Sequence, residues 1–185
     1  ELVLVGLHID NRLAGDAVMS RPSNWLTRGG FIMALAPLLV IIFSRKYGGD
    51  EASRAVTASW GLAAVAVFAE LSYLAPSLED GDLPGLRFTV FFTASAMAAQ
   101  YMAASVYDLV RGAIRWWRAP LFAALCSYFT FAVIYFPGVY AGTGAPWLIW
   151  MIGDFAIKAI LALAFLPIYG ILRDGLKPKG GYGGR

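Results

Sequence analysis

Residues along this chain fall into long, predominantly apolar runs separated by short polar breaks. Five runs stand out, over residues 29–43, 55–75, 88–110, 119–140 and 147–172, each closed by a short polar break. A membrane-crossing helix needs about 20 predominantly apolar residues, so the pattern predicts an all-α, polytopic membrane bundle with five complete spans. The first run is short for a span and carries Pro37, which predicts tilt or a local irregularity. Ahead of it, residues 1–7 read as the end of another apolar helix, a sixth span represented only by its tail.

Composition agrees with this pattern. Of 185 residues, 59% are hydrophobic and 15% charged, against about 45–50% and 25% in soluble globular proteins. Mean hydropathy is +0.63. Residues 1–172 form one transmembrane domain on this reading. Residues 173–185, rich in glycine and basic residues, form a flexible tail.

Charge sets the expected orientation. The formal net charge is +3, and the basic residues sit in breaks between apolar runs, with no aromatic-interleaved stripe of the kind that binds nucleic acid. Arg45, Lys46 and Arg54 follow the first run, Arg111, Arg115 and Arg118 the third, and Arg173, Lys177, Lys179 and Arg185 the last. Alternating helices place all three groups on one side, which the positive-inside rule makes the cytoplasmic or matrix-like side. Arg21 and Arg28 fall on the opposite side, with Glu79, Asp80, Asp82 and Arg87. Trp116, Trp117 and Trp147 lie at the expected helix ends, where amphipathic rings sit at headgroup level.

The candidate chemistry is sparse. Asp154 and Lys158, four residues apart near the middle of the last run, share one helical face. An ionisable group at bilayer depth costs on the order of 2.5–3.5 kcal/mol, so the two are expected to pair and to face the bundle, with Gln100 completing an intramembrane polar cluster. Such a cluster serves either as a solute site or as a static ion pair. Glu70, close to Pro76, reads as a solvated helix end. The small-residue series Ala55, Ser59, Ala63 and Ser95, Ala99, Ala103 predict close helix packing. The lone Cys126 rules out an intrachain disulfide and a thiolate zinc site, and His8 alone makes no metal site. No nucleophile elbow, phosphate loop or metal motif is present. No enzyme activity, cofactor or catalytic residue is therefore expected.

Two resemblances bear on function. An aspartate four residues before a lysine on a late helix is similar to the retinal helix of microbial rhodopsins, but that fold needs seven helices. More extensive is the series Arg115-Trp116-Trp117-Arg118-Ala119-Pro120, Gly153-Asp154-Phe155, Lys158 and Leu166-Pro167-Ile168-Tyr169-Gly170, with Arg45-Lys46-Tyr47-Gly48, Ala52, Arg54, Ala55 and Val56 earlier and the stretch from Gln100 to Arg111 between. Together these resemble the queuosine precursor transporter family, also called the VUT family, over residues 30–172. The resemblance implies a six-helix protein of a bacterial inner membrane, or of an organellar inner membrane descended from one. It also implies import of a deazapurine.

The departures from that family change the expectation. Ile41, Ala103, Tyr128 and Phe131 stand where its members carry polar residues in the membrane. A polar solute needs hydrogen-bonding partners there, and Gln100, Asp154 and Lys158 are what remains. The expected function is therefore a non-catalytic accessory or structural subunit of a larger membrane complex, partnered by the bilayer and other membrane subunits. The alternative is a transporter of a queuosine precursor or similar purine-like solute. A subunit role further predicts that Tyr101, Tyr128 and Phe131 are covered by protein, pigment or lipid and do not face a cavity.

Overall fold

A computed structural model describes residues 28–74, 85–112 and 115–178. Six helical segments make up the described residues: α1 (Arg28–Met33), α2 (Leu35–Tyr47), α3 (Gly49–Leu74), α4 (Leu86–Val110), α5 (Arg118–Tyr140) and α6 (Trp147–Gly175). There is no strand among them. The expected helix end at residues 1–7, His8, Arg21, the acidic break at 79–82 and the tail from 179 lie outside the described residues.

Among the described residues three helices are long and apolar enough to cross a membrane: Gly49–Tyr73, Arg118–Tyr140 and Trp147–Gly175. Helix α4 has 25 residues, about 37 Å at 1.5 Å per residue. Its length suffices, but Arg87, Thr89, Thr93, Gln100 and Asp108 dilute its apolar character. The 29–43 run is divided at Ala34 into α1 and α2. Pro37 accounts for the break: it has no N–H for the Met33 carbonyl, and its ring crowds that turn. The Tyr128 hydroxyl donates to the Ala34 carbonyl oxygen at 2.7 Å, so the interrupted backbone is tied to α5. Helix α6 continues to Gly175, past the expected end at 172.

The α4–α5 pair is the most extensive contact in the bundle, followed by α5–α6. Small residues explain it. Ser95, Ala99 and Ala103 are buried, and Ser127 donates its hydroxyl to the Ala99 carbonyl at 2.7 Å. The other series behaves differently, with Ser59 and Ala63 exposed. Helix α3 touches the bundle through Ala52 and Val56, which are buried, and through Thr57–Tyr101 (2.7 Å) and Trp60–Gln100. From Gly61 to Glu70 every residue of α3 is exposed.

Polar contacts fix the helix ends. Asp108 accepts the Gly49 N–H at 3.2 Å and pairs with Arg111 at 3.0 Å, placing a carboxylate at the start of α3, where first-turn N–H groups lack helical partners. At the other end of the bundle Arg87 donates to the carbonyls of Gly138 (2.6 Å) and Ala141 (2.7 Å). These satisfy orphan acceptors at the end of α5.

Candidate functional site

Asp154 and Lys158 sit on the inward face of α6, each 5% exposed. Lys158 Nζ donates to Asp154 Oδ2 at 2.6 Å. The i,i+4 spacing places the two carbons one turn apart, and burial makes the pairing obligatory, since an uncompensated charge here is strongly unfavourable. Beneath the ammonium lies the ring of Phe131 from α5, its centroid 3.9 Å from Nζ. The ring face carries negative quadrupolar charge and so stabilises a cation above it.

Gln100 is on α4 and 8% exposed. Its Oε1 accepts from Trp60 Nε1 at 3.2 Å, so its hydrogen bond runs to α3. Gln100 and Lys158 nevertheless face one cavity, which Tyr128, Phe131, Ala34 and Pro37 also line. The cavity measures about 20 Å³, room for a single water. Of the three residues singled out in the sequence, Gln100 and Lys158 line this space and Asp154 is joined to it only through Lys158; the other contact of the ammonium is aromatic.

The aromatic positions correct one expectation. Tyr128 is 1% exposed and lies in the core, covered by protein, but together with Phe131 it lines a cavity, which a subunit role was expected to exclude. The reason is the broken α1–α2 segment, which offers the Ala34 carbonyl as acceptor for the phenol. Tyr101 is half-buried and shares a hydroxyl contact of 2.7 Å with Thr57 of α3. Ile41 and Ala103, both fully buried, pack in the same apolar core as Tyr128.

A second polar group was not legible in the sequence. Tyr107 and Tyr169 share a hydroxyl contact of 2.6 Å. Arg45 reaches Tyr169 Oη at 3.4 Å and donates to the Arg173 carbonyl at 3.0 Å. The four residues come from three helices, and only Tyr169 and Arg173 are close in sequence. Among the described residues no group of three His, Cys, Asp or Glu side chains is placed to hold a metal ion.

Comparisons of the chain with known protein families, curated proteins and solved structures give no match.

Proposed function

We propose that this chain is a divergent, VUT-like helical membrane protein that serves as a non-catalytic accessory subunit of a larger membrane complex. In this reading it crosses the bilayer five times: through α3, α4, α5, α6 and the broken α1–α2 pair. Its basic breaks and C-terminus lie on the cytoplasmic or matrix-like side of a bacterial or organellar inner membrane. The observation that carries the proposal is the cavity beside Lys158. It admits one water, too little for a purine-like solute, and the ammonium at its wall is met by Asp154 and Phe131. The uncovered half of α3 is consistent with a chain that packs among other chains.

One observation favours a second reading, a transporter of a purine-like solute. Gln100 and Lys158 converge on a single cavity from facing helices, as substrate groups in a closed transporter would. Expression in a bacterial strain lacking its own queuosine precursor importer separates the two. With the chain confirmed in the membrane, the subunit reading predicts no queuosine in tRNA at low external precursor. Restored queuosine overturns it in favour of transport.

A further inference from the structure

On the face of the bundle that carries the basic breaks, Trp116, two residues before α5, and the last turns of α6 form a cleft of about 390 Å³, lined by Trp116, Pro167, Gly170, Ile171, Arg173 and Asp174. Trp116 is seated by its neighbours. Its ring lies against Gly170, where an added Cβ would come within 3.2 Å of it, and it stacks on Tyr169 with an interplanar angle of 9°. Tyr169 is itself held by Tyr107 and Arg45. The cleft is therefore built on a fixed floor.

Arg173 stands at its mouth, with its guanidinium carbon 5.6 Å from the Trp116 ring centroid. Its backbone carbonyl is taken by Arg45. Its side chain makes one polar contact among the described residues, Nε to Asp174 Oδ1 at 3.4 Å, and Asp174 is 84% exposed, so this pair is worth little in water. The two terminal nitrogens have no hydrogen-bond acceptor among the described residues. A planar guanidinium fork of this kind matches the geometry of a phosphate. Arg115, next to Trp116, and Lys177, four residues beyond Arg173, are exposed, so cations outnumber the single carboxylate. On the bilayer side, Ile168 and Ile171 are 55% and 80% exposed and share a face of α6.

We propose that this cleft seats the headgroup of an anionic phospholipid, with the Arg173 fork on the phosphate, Trp116 at headgroup level and the acyl chains along Ile168 and Ile171. A cationic pocket beside an exposed apolar helix face supplies both halves of such a ligand. The site is independent of whether the chain is a subunit or a transporter.

The test is thermal melting in neutral-detergent micelles titrated with phosphatidylglycerol, phosphatidylcholine or glycerol phosphate alone. Phosphatidylglycerol is expected to raise the melting temperature more than either of the others. Arg173→Gln and Arg115→Gln are each expected to weaken its apparent affinity about fivefold, with Arg173→Lys retaining part of the response. Arg54→Gln, which removes an exposed cation paired with Glu51 on α3, should behave as wild type. Circular dichroism confirms folding, and if Arg173→Gln loses helicity, Arg115→Gln decides the matter. The proposal is overturned if phosphatidylcholine matches phosphatidylglycerol, if glycerol phosphate alone gives the full shift, or if folded Arg173→Gln and Arg115→Gln respond as wild type does.

Discussion

Lys158 and Asp154 hold each other in the interior of the bundle, each 5% exposed and 2.6 Å apart. Removing one partner from a buried pair costs about 3–5 kcal/mol, because the other charge is stranded, whereas replacing both with apolar groups is often close to neutral. Lys158→Met is therefore expected to melt well below the Lys158→Met/Asp154→Leu double variant, as read by thermal melts in detergent. Equal losses in the two would show that the groups are not coupled. Phe131→Leu removes the ring beneath the ammonium as well as its contacts with Phe92 and Tyr135, and is expected to cost about 1–2 kcal/mol more in the wild type than in the Lys158→Met background, in the same assay. The i,i+4 spacing made the pair legible in the sequence, since helical geometry alone brings those two side chains together. The partner across the helix interface was not legible. Whether Gln100 or Phe131 meets the ammonium depends on how α4 and α5 rotate against α6, and Trp60 draws Gln100 toward α3.

At the scale of the helix, small residues and end contacts decide the packing. A Cβ at Gly138 would collide with the ring of Phe91 across the α4–α5 interface, so Gly138→Ala is expected to lose about 1–3 kcal/mol by overpacking, measured by thermal melting. Asp108→Ala removes the acceptor at the start of α3 and should cost about 1 kcal/mol, with faster hydrogen exchange confined to the first turn of α3. Uniform exchange along α3 would contradict that local role. The helices themselves were largely readable from the apolar runs: the expected 119–140 run appears as Arg118–Tyr140, and the expected 88–110 run as Leu86–Val110. Pro37 announced an irregularity, and it appears one turn earlier, at Ala34, because proline disrupts the turn that precedes it. The two small-residue series looked equivalent in sequence. Only the one on α4 is buried, because α5 packs along it, whereas α3 leaves the bundle after Trp60.

For the whole molecule, the central claim is that this bundle works as one part of a larger assembly and not as a transporter acting alone. A one-water cavity, an ion pair that satisfies itself and a half-helix left uncovered all belong to that picture. Sequence patterning could indicate the bundle and its polar pair because both follow from hydropathy and helical spacing. The function is harder to read at this scale, since neighbours are selected by surface shape, which no local pattern encodes. The most direct measurement is the mass and composition of the chain extracted from its own membrane into native nanodiscs without free detergent. The account predicts a particle containing this chain and other membrane chains at a fixed stoichiometry. A homogeneous particle containing this chain alone would contradict it.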